Sequence, residues 1–223
     1  ATQIALVHLD GATPVEEALI RALQQRYQAE QASSVDELFT WNDAYAASMR
    51  DVYHGFPDDP DVVALFAEAL IDRTPWQLWD LKTGEPAAGA DTLETVAVLE
   101  RALHRMEQHG DAPHPGVLHM YVHTLEMSPY PERALRAGDV LRDLVPDAGH
   151  LRHMPSHIDV LCGDYRGAMI TNHRAIQADS LYLAEEGPIN FYTLYRSHNY
   201  HFKLYSAMFL GQYQPALEAA DQL

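Results

Sequence analysis

The chain has 223 residues, 47% of them apolar, and a formal charge of −17 from 15 basic and 32 acidic side chains. That length carries one sizeable core, and the acidic balance excludes nucleic acid or an anionic membrane as partner, since both demand a basic surface. Cys162 is the only cysteine, which excludes a disulfide framework, a thiolate zinc knuckle and a CxxC redox pair and makes a reducing cytoplasm the expected compartment, while no apolar run is long enough to span a membrane.

Taken in order, the chain reads as a series of helices. Residues 1–9 suit the tail of a helix, broken by Asp10-Gly11. Thr13-Pro14 starts the next, with Thr as N-cap and Pro in the first turn. Ser34 and Glu37 read as a capping box for a helix that ends near Gly55. Asp61 to about Arg73 is a third amphipathic segment, with Val62, Leu65, Phe66, Ala69 and Leu70 inward and Glu68 on or beside that stripe. Pro75 to Asp91 is loop-like, and Trp76 and Trp79 are expected to pack it down. Asp91 and Glu94 form a second capping-box pattern, and the helix behind them runs to about Gln108. Further helices come after Pro115 and Pro131. Pro155 is tolerated only in a first helical turn, so the next helix is expected to start near Met154 and stop at Gly163. The remaining helices cover about Tyr165 to Glu186, residues 190–210 and the C-terminal stretch. No segment alternates with period two for long enough to be a strand. The chain opens at Ala1 without Met and stops inside the helical pattern ALEAADQL, which suggests a piece of a longer protein.

Gly163-Asp-Tyr165-Arg-Gly-Ala168 recurs as Gly211-Gln-Tyr213-Gln-Pro-Ala216. The pattern G-x-Y-x-x-A marks the turn between the paired helices of a tetratricopeptide (TPR) unit. The expected fold is therefore all-α, a TPR-like superhelix of stacked antiparallel helix pairs spanning residues 1–223 as one solenoid domain. Such solenoids offer a concave groove.

Histidine carries the functional signal. His119 and His123 stand four apart, with Glu126 three further on, and His153 and His157 repeat the four-residue spacing. His198 and His201 are three apart with Asn199 between them, and His150 joins the second pair if its helix starts early enough. Two histidines at i, i+4 share a helix face and can bite one metal ion. The competing account of three such pairs is a buried polar network that sets helix register, which is costly to satisfy without a cation or waters. Up to seven nitrogen and oxygen donors suit one octahedral ion with supporting partners, or two ions sharing a cavity. His8, His54, His104 and His109 read as structural, His114 as a helix-entry residue and His173 as outward-pointing. The aromatic residues from Tyr192 to Tyr205 read as core and groove lining. No phosphate-cradling glycine loop or nucleophile elbow is present.

HPGVLHMYVHTLEMSPYPERAL, then GHLRHMPSHIDVLCGDYRGAMITNHRAIQAD, then HNYHFK resemble a group of bacterial TPR-containing proteins whose hallmark is an HPGxxHxxxH segment followed by HMPSHI. ALIRALQQRY, PDDPDVVALFAEAL and PWQLWD are similar to the same group. The resemblance implies a longer full-length protein and no particular activity. It matches at His119, His123, Glu126, His150, His153, His157, Asn172, Asp179, His198, Asn199 and His201, and departs at Leu161-Cys162, where an arginine-containing segment is expected.

These readings converge on a transition-metal site in the groove, with His119, His123, Glu126, His153, His157, His198 and His201 as ligands. Glu126 is a ligand or general base, and Glu68, Tyr121, His150, Asn172 and Asn199 stand behind the ligands or against substrate. Zinc, iron, manganese and copper all suit imidazole-rich sets. The function expected is metal binding, with hydrolytic or oxidative chemistry on a small-molecule or peptide ligand. The alternative is a non-catalytic scaffold that binds a peptide or protein partner.

Overall fold

The computed structural model describes residues 2–223, and among them every regular element is helical. Contacts divide the chain into two compact units, residues 1–120 and 121–223. The first contains α1 (Thr2–Val7), α2 (Pro14–Arg26), α3 (Val35–Gly55), α4 (Pro60–Ile71) and α5 (Thr92–His109). The division falls inside α6 (Pro115–Leu125). A 3₁₀ turn at Pro131–Ala134 then leads into α7 (Leu135–Leu141), α8 (Gly149–His153), α9 (Pro155–Leu161), α10 (Tyr165–Glu186), α11 (Thr193–Phe209) and α12 (Tyr213–Gln222).

Adjacent helices pack as pairs in the first unit: α1 on α2, α2 on α3, α3 on α4 and α4 on α5. α4 lies between two neighbours, so its apolar residues are buried on more than one face. Val62, Val63, Phe66, Ala67, Ala69 and Leu70 are all enclosed, a wider stripe than one amphipathic face needs. α2 begins with a full capping box: Thr13 Oγ1 accepts from the Glu16 amide, and Glu16 accepts from the Thr13 amide at 2.7 Å. At α3 the box is displaced by one residue. Ser34 caps the Glu37 amide, while the Glu37 carboxylate turns to the Ser33 amide at 2.6 Å.

Two expectations in this unit fail. Asp91 and Glu94 do not form a capping box, because arginines on neighbouring segments take both carboxylates. Arg50 holds Glu94 through two hydrogen bonds of 2.8 and 2.7 Å, and Arg73 pairs with Asp91. A guanidinium fork satisfies a carboxylate more strongly than a backbone amide does. The tryptophans also part company. Trp79 is buried and its segment bridges to Pro86, whereas Trp76 has positive φ (56°) and is 76% exposed.

In the second unit α10 is the central helix, packed against α8, α9 and α11, with α12 on α11 and α7 on α9. Its neighbours approach closely because Ala168, Ala175 and Ala178 line it. Arg142 ties α7 to α9 with paired bonds of 2.9 and 3.0 Å to Asp159. The two echo glycines both adopt the left-handed conformation a tight turn requires, Gly163 at φ 85° and Gly211 at φ 66°.

The helix expected to start near Met154 does so, as α9 with Met154 at its N-cap, and a separate short helix, α8, precedes it. Helical turns begin at Gly149, and the proline falls at the first position of α9 after the Met154 amide has closed onto His150. Proline there loses no obligatory hydrogen bond. His150 therefore lies on α8 with His153, and His157 comes across the junction on α9. Gly149 is enclosed against α10: a Cβ at this position would sit 1.8 Å from Asp179 Oδ1 and 3.0 Å from the Ala175 carbonyl oxygen.

Candidate metal centre

Four elements of the second unit deliver imidazoles to one place: α6 brings His123, α8 brings His150 and His153, α9 brings His157 and α11 brings His198. The rings of His153 and His198 meet edge-on at 4.7 Å between centroids, and those of His153 and His157 at 4.8 Å. One nitrogen from each of His153, His157 and His198 lies within 4.8 Å of the other two. Phe202, one turn after His198, packs against all three rings at 4.6 to 4.9 Å.

Hydrogen bonds fix which nitrogens face inward. Asn172 Nδ2 donates to the Ala168 carbonyl at 2.8 Å, so its Oδ1 is the atom turned to His153, and His153 Nδ1 donates to it at 2.7 Å. His157 Nδ1 lies 2.6 Å from Glu126 Oε2, a separation that requires a proton on the ring nitrogen, because two lone pairs would repel. With both Nδ1 atoms protonated, the Nε2 atoms carry lone pairs, and these face each other at 2.8 Å. Two acceptors held this close call for a positive charge between or beside them, either a proton or a metal ion. Tetrahedral zinc holds nitrogens at about 2.0–2.1 Å and so about 3.3 Å apart. Opening the pair by roughly half an ångström therefore admits an ion.

Electrostatics favour neutral ligands. Burial, reinforced by the neighbouring imidazole charges, pushes His150 and His198 down to about 4. His153 is fully enclosed, and burial drives it well below the ordinary histidine range, with His157 adding in the same direction and the Asn172 hydrogen bond opposing. A neutral imidazole is the form that binds a metal.

Glu126, expected as a ligand or general base, stands between two histidines. Its Oε1 accepts from His123 Nδ1 at 2.8 Å while Oε2 faces His157 Nδ1. Burial alone would raise its pKa, but these two histidines outweigh burial and hold the carboxyl well below its usual range. It is a carboxylate that orients two imidazoles. Carboxylate behind histidine is the usual support for a metal ligand.

The remaining expected residues divide. His119 stands one turn before His123 on α6. Tyr121 is buried on the same helix. Asn172 supports His153 through its Oδ1. Asn199 is buried and donates from Nδ2 to Asp179 Oδ2 at 2.7 Å, which pins α11 to α10 beside His198. Glu68 belongs to the first unit, where Arg26 approaches it at 3.5 Å; burial raises its pKa and Arg26 opposes. His201 is exposed and shares no cluster with the other histidines. A three-residue step turns a side chain about 60° away around a helix, which carries it off the inward face that His198 occupies. His8, His54, His104, His109 and His173 are exposed, and His114 closes the entry of α6, its Nδ1 accepting from the Val117 amide at 3.3 Å.

Phe202 and Tyr192 belong to the aromatic run read as core and groove lining; what that reading lacked is their specific contacts, Phe202 against three imidazoles and the Tyr192 hydroxyl accepting from the His150 amide at 2.8 Å. The spacing from His198 to Phe202, one helical turn, was the available signal. No protein-family model matches the chain, and no curated protein matches it. Among the described residues no helix is long and apolar enough to cross a membrane.

Proposed function

We propose that the protein binds a divalent transition metal through His153, His157 and His198, and that this ion is the seat of its activity. The observation that carries the reading is the pair of Nε2 atoms 2.8 Å apart, each with its Nδ1 committed to an acceptor. A buried polar network that merely set helix register would alternate donors with acceptors. Here a proton or an ion must join the two Nε2 atoms, and the third imidazole, His198, placed beside them favours the ion. Three nitrogen ligands leave a fourth position for water, the arrangement of catalytic rather than structural zinc. Held by these three histidines, such an ion would supply Lewis acidity and lower the pKa of a bound water toward neutrality, so metal-assisted hydrolysis is the reaction class proposed. All-imidazole donors suit zinc, copper, iron or nickel. The helix pairs and the left-handed glycines of the repeated G-x-Y-x-x-A turns support a TPR-like scaffold for this centre.

Elemental analysis of protein purified without chelator or affinity tag tests the proposal. At least one equivalent of a transition metal per chain is expected, with one equivalent fewer in His157→Ala and in His198→Ala. A chain that stays metal-free after reconstitution with zinc, cobalt, copper and iron would sink it and leave the shared-proton network, and with it the non-catalytic scaffold, as the account of the cluster.

A further inference from the structure

Two histidines in the second unit are left over from the three-histidine centre, and they are neither exposed nor scattered. One nitrogen of His123 and one of His150 lie within 4.8 Å of each other, with ring centroids 6.2 Å apart. His123 Nδ1 is engaged by Glu126 Oε1 at 2.8 Å, so its Nε2 is the nitrogen that carries a lone pair. We infer that His123 and His150 form a second cation position, so that the unit holds a two-ion centre.

The arrangement is built in parallel with the first position, on whose metal reading it rests. α8 contributes one histidine to each position, His153 to the first and His150 to the second, with ring centroids 6.2 Å apart and planes 24° from parallel. Glu126 contributes one oxygen to each: Oε2 faces His157 and Oε1 accepts from His123. A carboxylate between two imidazoles serves a single ion poorly, since only one of the oriented rings reaches it. It serves two ions well, because the same negative charge supports a ligand of each. His123 and His157 stand 6.3 Å apart on either side of it.

A second support comes from the way His150 is held. Tyr195 meets its ring edge-on at 4.8 Å, and Tyr192 takes its backbone amide. The Tyr192 hydroxyl lies close enough to Asp179 for the two to raise and lower each other's pKa, and Asp179 also holds Asn199 beside His198. One buried carboxylate on α10 thus anchors the segments that carry His150 and His198, a ligand of each position. Preorganisation of this kind is what a metal site needs and what a surface histidine does not.

The test uses the full chain, stripped of metal and titrated with cobalt(II), monitored by visible absorption and by calorimetry. Two equivalents are expected to bind to the unmodified protein. His150→Gln and His123→Gln are each expected to bind one equivalent and to keep the absorption of the first position. His198→Ala is expected to keep the second position alone. A single equivalent in the unmodified protein, or two equivalents retained in His150→Gln, overturns the two-ion centre while leaving the first position standing. No cobalt bound at all overturns both. The stoichiometry of the unmodified protein decides the matter even if a variant fails to fold. As an independent readout, manganese(II) loaded to saturation should show exchange-coupled paramagnetic resonance, and only isolated-ion signals would contradict it.

Discussion

Replacing Glu126 by glutamine changes one oxygen to an amide nitrogen at nearly constant volume, and so turns one of its two acceptors into a donor. The carboxylate faces a ring nitrogen on each side, Oε1 accepting from His123 Nδ1 at 2.8 Å and Oε2 lying 2.6 Å from His157 Nδ1. Glutamine keeps one acceptor, so its NH₂ group must meet one of the two rings. That ring can accept only by moving its proton from Nδ1 to Nε2, which blocks the ligand atom. If the ring is His157, its Nε2–H then donates to His153 Nε2 across the existing 2.8 Å gap. The metal-free protein gains a satisfied hydrogen bond while the ion meets a proton where it needs a lone pair. Removing one such supporting partner elsewhere costs about 10–100-fold in metal affinity, or about 1.4–2.7 kcal/mol. Glu126→Gln should therefore lose about that factor at pH 7.5 in a competition titration against a chromophoric zinc chelator, with little change in the melting temperature of the metal-free chain. Glu126→Ala takes the acceptor from two Nδ1–H donors and should destabilise that chain as well, by about 1–3 kcal/mol per donor, read as a lower melting temperature. Wild-type zinc affinity in Glu126→Gln would refute the orienting role.

Three further outcomes are expected. His201→Ala should leave metal stoichiometry unchanged by elemental analysis, because its ring is exposed and outside the cluster, while His198→Ala loses the ion of the first position. Gly149→Ala should destabilise the chain by about 1–3 kcal/mol in denaturant titrations, since the added Cβ overlaps the Asp179 carboxylate, which Asn199 holds, and presses on the Ala175 carbonyl. Acid should unfold the metal-free chain early. His150 and His198 fall to about 4 in the folded state against 6.5 unfolded. Their contribution is complete above pH 6.5 and is lost as pH falls from there through 4, and Glu126, lowered on folding, adds the same sign below its ordinary range. Near pH 5, unfolding should take up between one and two protons from these two histidines, the lower figure allowing for the partial exposure of His198. A melting temperature flat between pH 7 and 5 would contradict this.

Local rules made the helices legible. The Thr13 cap, the glycine turns and the 3.6-residue stripes depend on neighbours within a turn or two, so the residues announce them. The four-residue spacing of His153 and His157 pointed to a shared face, and Asn172 to a supporting role. What was not legible depends on partners distant in sequence. Asp91 and Glu94 have the right spacing for a cap, yet Arg73 and Arg50 outcompete the amides. Trp76 looks like core beside Trp79, but its positive φ turns it to solvent. Glu126 has a ligand's spacing, and only the arrival of His157 from α9 turns it into a support. Once helices cross, hydrogen-bond partners decide which nitrogen of a histidine is left to act, and no periodicity encodes that.

Phe202 bears on time rather than affinity. Its ring covers His153, His157 and His198 together, so water must replace each departing ligand from the opposite side. An ion held behind such a wall exchanges slowly even when its binding constant is ordinary. A smaller side chain there would open a second door, shortening residence while leaving the ligand set intact.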